Sequence, residues 1–187
     1  MTANAIQHSY RKESAVPRAS GFAARQRLCK LTVMGNVTRL DRVSVFGNTL
    51  SFLIPHDWIE GQSEDDHYLY HLPEAESGWL RVSLISIEVP KENLSGKLDE
   101  IFEGEMHVTI EEQTGNRVCT WEKDSEENGV PIRLFYWKIA SAVPPNHVRE
   151  AIFSYTVVSN LADLKETRNA VDLIGRLVRQ AQFCRPN

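Results

Sequence analysis

Ile132-Arg133-Leu134-Phe135-Tyr136-Trp137-Lys138-Ile139-Ala140 is the stretch on which the reading of this chain turns. Its aromatic and β-branched content is that of a strand. Successive strand side chains point to opposite faces, so Leu134 and Tyr136 lie on one side and Phe135, Trp137 and Ile139 on the other. Both sides are apolar. One face of a sheet built on this strand should meet helices. The other is either covered too, by loops or a further helix, or left as an exposed patch that binds something.

Working outward, the region from Val43 onward reads as short strands separated by turn residues. Val43–Phe46, the turn Gly47-Asn48 and Thr49–Ile54 form a hairpin with Leu50, Phe52 and Ile54 on one face, stopped by Pro55. His67–Leu72 is the next strand, Pro73–Gly78 a turn, and Trp79–Val89 a long strand ended by Pro90. Leu94, Leu98, Ile101 and Phe102 have helical spacing, which predicts a short helix over Ser95–Glu103. His107–Glu111, Arg117–Lys123, Ile132–Ala140 and Val148–Val158 have strand composition, with an acidic turn at Asp124–Gly129.

The clearest helical pattern comes last, over Leu161–Phe183. Leu164, Val171, Ile174, Leu177, Val178 and Ala181 make an apolar stripe there, with Asn160 as N-cap. The expected fold class is therefore α+β: an antiparallel sheet of about six to eight strands, flanked by a long C-terminal helix and a short inserted helix. It occupies a single domain, residues 43–185. Residues 1–42 lack periodicity and read as a basic leader, mostly disordered. Three readings of it stand side by side: a short basic helix over Gly21–Leu31, an organelle transit peptide, or a tail ahead of a true start at Met34.

Charge divides along the same line. Residues 1–45 carry eight Lys/Arg and two Asp/Glu, a net of +6, and the remaining 13 basic and 23 acidic residues leave −10 on the body. Phosphate contacts need a basic surface, so nucleic acid is not expected on the acidic body. Three widely spaced cysteines, with no C-x-x-C pair, suggest neither a disulfide framework nor a zinc knuckle and fit the reducing cytoplasm. No run approaches the roughly 18 apolar residues of a membrane span, and basic residues interrupt the first segment where a signal peptide needs an apolar core.

Few residues suggest chemistry. His67 and His71 are spaced to chelate a metal on a helix, but on a strand they would stand about 13 Å apart, so no metal is expected. Glu64, Asp65 and Asp66, and Glu122, Asp124, Glu126 and Glu127, fall in turns, where carboxylates stay solvated and unperturbed. There is no nucleophile elbow, phosphate loop or dinucleotide fingerprint. Cys119 reads as a buried, inert thiol. Neither a catalytic residue nor a cofactor is expected.

The run Leu50-Ser51-Phe52-Leu53-Ile54-Pro55-His56-Asp57-Trp58, followed by an acidic loop, an aromatic strand and a terminal amphipathic helix, resembles the PsbP-like fold group. Within that group it is nearest to the Eag-type cytoplasmic chaperones of bacterial type VI secretion effectors. The resemblance implies a small non-catalytic module with Phe52, Ile54 and Trp58 defining the fold, and a sheet face that shields apolar effector helices. The basic leader and the compact Pro73–Gly78 loop have no counterpart in that pattern. Together these readings predict a cytoplasmic, chaperone-like module whose sheet and acidic rim receive an apolar or basic segment of another protein, such as a secretion effector. The alternative is a small-ligand domain with an aromatic pocket. Trp58, Tyr68, Tyr70, Phe135 and Trp137 are the candidate binding residues, with the outward parity left open.

Overall fold

The computed structural model describes residues 24–33, 36–61, 67–73 and 78–184, with side chains from residue 39 onward. The chain runs through β1 (Ala24–Val33), β2 (Asn36–Val45), β3 (Leu50–Pro55), β4 (Ile59–Gly61), β5 (Tyr68–His71) and β6 (Trp79–Glu88). Helix α1 (Leu94–Ile101) follows, then β7 (Thr109–Ile110), β8 (Arg117–Glu127), β9 (Val130–Val143) and β10 (His147–Val158). Helix α2 (Lys165–Arg179) and a short β11 (Gln182–Phe183) end it. The strands form two antiparallel sheets, four-stranded in the order β1-β2-β3-β11 and seven-stranded in the order β4-β5-β6-β10-β9-β8-β7.

Local chemistry explains the turns. Phe46, Gly47 and Asn48 all take positive φ, which lets β2 reverse into β3, and the Thr49 amide donates to the Phe46 carbonyl at 3.2 Å. Asn128 and Gly129, also at positive φ, give β8 and β9 a two-residue hairpin turn of the kind that matches strand twist. The expected acidic turn Asp124–Gly129 is thereby shortened, and Asp124–Glu127 continue β8.

One face of the seven-stranded sheet holds Tyr70, Leu80, Val82, Val118, Phe135, Trp137, Ile139, Phe153 and Tyr155. It packs against Val43, Val45, Leu50, Phe52 and Ile54 of the smaller sheet and against Ile174 and Val178 of α2. Aromatic edges fill the layer: Phe52 meets Tyr70 and Phe153 at centroid distances of 5.7 and 5.1 Å, both nearly perpendicular. The opposite face carries a smaller cluster, Leu98 and Phe102 of the α1 region over Cys119, Ala140 and Val148.

This architecture corrects the expected α+β class. The molecule is mostly β, with two sheets and two short helices, and has no long C-terminal helix. The apolar stripe over Leu161–Phe183 is interrupted at both ends. Ser159–Leu161 form a 3₁₀ turn that buries Ala162, and Asp163 is drawn to Arg133 and Arg168, so α2 begins at Lys165. At the far end Asn116 Nδ2 donates to the Ala181 carbonyl at 2.8 Å, and Gln182 and Phe183 pair with Ser51 and Leu50. Pairing with a sheet edge outweighs helix propensity there.

The expected leader, residues 1–42, also differs where it is described. Residues 24–31, part of the suggested basic helix, lie in β1, and β2 crosses the 42/43 division with Leu40 and Asp41 buried. Asp41 Oδ2 lies 2.9 Å from His56 Nδ1, tying β2 to the end of β3. Residues 1–23 and the suggested start at Met34 lie outside the described residues, as do Glu64, Asp65 and Asp66. No helix among the described residues is long and apolar enough to cross a membrane.

Two glycines give opposite expectations. A Cβ at Gly78 would come within 2.5 Å of the Thr156 carbonyl and the Tyr155 ring, whereas one at Gly96 in α1 meets nothing within 4 Å. Gly78→Ala should destabilise the protein by about 1–3 kcal/mol, and Gly96→Ala should stabilise it by about 0.5–1 kcal/mol. Urea unfolding of the two variants measures both signs.

Candidate functional site

In antiparallel sheets, residues paired across strands share a face. Register therefore writes out the face of the seven-stranded sheet that turns away from the core. One row across it is Ile59, His71, Trp79, Thr156, Leu134 and Lys123. The next is Gly61, Leu69, Arg81, Ser154, Tyr136 and Trp121. Further along β6, Ile85 points the same way.

These rows are only partly covered. Trp79 is 45% exposed and Ile85 49%, and Ile59, Val130 and Val158 are exposed to a similar extent. Trp79 is nevertheless held. Its ring lies against His71 at a centroid distance of 4.1 Å, and a Cβ at Gly61 would stand 3.3 Å from it, so the missing side chain gives the indole its seat. Trp121 and Tyr136 stack 4.8 Å apart and nearly parallel. The result is a platform with two fixed aromatic pairs.

Helix α1 closes one end of the platform. Leu98 and Phe102 sit over Cys119, Ala140 and Val148. Lys138 donates to the Ile101 carbonyl at 3.3 Å and pairs with Glu105, while its ammonium lies 5.7 Å from the Phe102 ring centroid and 5.8 Å from that of Trp121. Arg117 pairs with Asp99 of the helix at 2.5 Å. On β9 the helix thus covers Ala140 and Lys138, and Tyr136, Leu134 and Ile132 continue outward beyond it. Burial, then repulsion from Glu105, pushes the Cys119 thiol up to about 11, so it stays protonated and unreactive at neutral pH.

The five residues singled out from the sequence take other places. Trp58, Tyr70, Phe135 and Trp137 are buried in the inner layer. Trp58 stacks on Tyr155, and Trp137 lies under α2, where a Cβ on Gly175 would stand 2.9 Å from the indole nitrogen. Tyr68 is half-buried and meets the Phe46 ring edge-on at 4.9 Å. None of the five lies on the open face. Trp79, Trp121, Leu134, Tyr136 and Ile85 form it instead. The alternation of Arg81 and Ser83 against Leu80, Val82 and Leu84 marks the outward side of β6, and the pairing of Ser154 with Arg81 and Tyr136 carries that parity to β9.

The sequence-noted acidic residues form ion pairs at the surface: Asp124 with Arg133 at 2.8 Å and Glu122 with Arg168 at 2.9 Å. Among the described residues, no group of three or more His, Cys, Asp or Glu side chains converges to hold a metal ion. The arrangement offers contact area and ring faces.

Glu150 stands on the same face near the α1 anchor, and burial raises its pKa despite the opposing pull of Lys138. A carboxyl raised in the folded state binds more protons folded than unfolded, so it weakens stability as pH rises from the ordinary value of 4.5 through the raised one. Glu150→Gln should therefore gain stability relative to the parent as pH rises across that window. Chemical unfolding at pH 4 and pH 7 gives the comparison, and a difference independent of pH would contradict it.

No family model and no curated protein matches the chain. Its fold is similar to that of a crystal structure from Bacteroides thetaiotaomicron VPI-5482, with a TM-score of 0.50 and 15% identity, over 74% of this chain and 46% of that one. The likeness concerns the fold alone, and the chain spans less than half the length of that protein.

Proposed function

We propose that this protein is a non-enzymatic, chaperone-like interaction module of the cytoplasm, which receives an apolar segment of another protein on the open face of its seven-stranded sheet. The observation that carries this reading is the platform of Trp79, Ile85, Leu134, Tyr136 and Trp121, where large apolar side chains stay exposed or half-exposed on a rigid sheet. Several large apolar side chains left exposed on one sheet face support an interaction site there. Helix α1 supports a helical occupant. It shows that this face seats an amphipathic helix through two large side chains, and its eight residues reach only part of the fourteen-residue β9. A second helix laid beside it would cover Tyr136, Leu134 and Ile132.

An apolar segment fits better than a basic one. The charged side chains in the two platform rows are Arg81 and Lys123, and the acidic residues of β8 are partly engaged with Arg133 and Arg168. The resemblance of Leu50–Trp58 to the Eag-type chaperones is in keeping with this reading, and a secretion effector is the kind of partner it suggests. The alternative, a small ligand in an aromatic pocket, has less to rest on, because the interior rings pack against one another.

Burying one such side chain contributes about 1.5–3 kcal/mol. Replacing both Trp79 and Ile85 by Asp should therefore weaken binding of a leucine-rich amphipathic helical peptide at least tenfold in a variant that still unfolds cooperatively. Equal binding by the parent and the double variant, or no binding by either, would overturn the reading.

A further inference from the structure

Strand β8 runs from Arg117 to Glu127, but β7 pairs with it only at Arg117 and Val118. Among the described residues no strand lies beyond β8 from Thr120 onward, and Glu122–Glu127 are all exposed. The two-residue turn at Asn128-Gly129 fixes which backbone groups are left over. Glu127 and Val130 flank that turn as a hydrogen-bonded pair, and such pairs alternate along an antiparallel ladder. Trp121, Lys123, Ser125 and Glu127 therefore bond to β9, and the N–H and C=O groups of Thr120, Glu122, Asp124 and Glu126 turn to the outer edge. Pro131, which has no N–H to give, sits opposite Glu126, where none is needed.

Three of these four residues are acidic. Glu122, Asp124 and Asp163 share the guanidinium groups of Arg168 and Arg133, and Glu126 adds a further carboxylate with no ion pair among the described residues. The edge thus keeps an excess of negative charge. A second copy paired antiparallel about Asp124 would set Asp124 against Asp124 and Glu122 against Glu126, which like-charge repulsion disfavours. A basic strand meets the opposite response. Directly opposite residues share a face, so every second residue of an added strand lies with Glu122, Asp124 and Glu126, and those between lie beside Trp121 and Lys123.

We propose that the outer edge of β8 takes an extended segment of another protein as an added antiparallel strand, with Lys or Arg at alternate positions and apolar residues between. Backbone bonds supply the attachment, and the alternating charge supplies the choice of partner. The edge is available whatever the open face receives.

The test titrates the full chain with a peptide of alternating Lys and Val as long as Thr120–Glu127, with residue-resolved amide hydrogen exchange as the readout. Two control peptides replace every Lys by Glu or every Val by Pro, the second keeping the charge while removing backbone donors. The Lys-Val peptide should bind one-to-one and newly protect the amides of Glu122, Asp124 and Glu126, and both controls should bind at least tenfold more weakly. Glu126→Lys, at an exposed position, should weaken the Lys-Val peptide about threefold. No binding, equal binding of either control, new protection confined to other amides, or protection of these three amides already in the free chain would each overturn the proposal.

Discussion

The pairing of β9 with β10 runs unbroken from Val143 opposite His147 to Ile132 opposite Val158 and sets the face of every residue across the middle of the molecule. A slip by one residue would turn Phe135, Trp137 and Ile139 outward and bring Leu134, Tyr136 and Lys138 into the core. The inward set allows no such exchange. Trp137 is fitted beneath Gly175, Phe153 meets Phe52 edge-on, and the Tyr155 hydroxyl accepts the Gly78 amide at 3.1 Å. Because β6 pairs with β10 and β8 with β9, the same parity passes outward in both directions.

Once the inward face is committed, the outward face is what remains, and its coverage is uneven. The small residues Cys119, Ala140 and Val148 let α1 approach at one end. Farther along, Tyr136 and Trp121, then Leu134 and Trp79, are too large and too numerous to be buried by neighbours on a sheet this broad. Their rings are fixed by stacking and by the gap at Gly61, so they lose little side-chain entropy when a partner covers them. Rigid aromatic surface beside an already seated helix is a physical basis for accepting another.

Much of the strand order was legible. The Gly47-Asn48 turn, the stop of β6 before Pro90 and the stripe of Val171, Ile174, Leu177 and Val178 on α2 all follow from turn chemistry and periodicity. The smaller sheet was not, because residues 24–42 mix Arg, Lys, Thr and Asn without a regular apolar period, although each of their strands pairs with the next one along the chain. Phe183 ends in a strand because the edge of β3 needs a partner, a demand that helical spacing cannot reveal. The open face was misread for a related reason. Where a strand is apolar on both sides, its own residues cannot say which side faces the core, and the answer came from Arg81 and Ser83 two strands away.

The most direct measurement is hydroxyl-radical footprinting of the free protein and of the protein saturated with an amphipathic helical peptide. The account predicts strong labelling of Trp79 in the free protein and protection of Trp79, Tyr136 and Trp121 on binding, with Trp58 and Trp137 labelled weakly throughout. Strong labelling of Trp58 and Trp137 in the free protein, or protection confined to them, would contradict it.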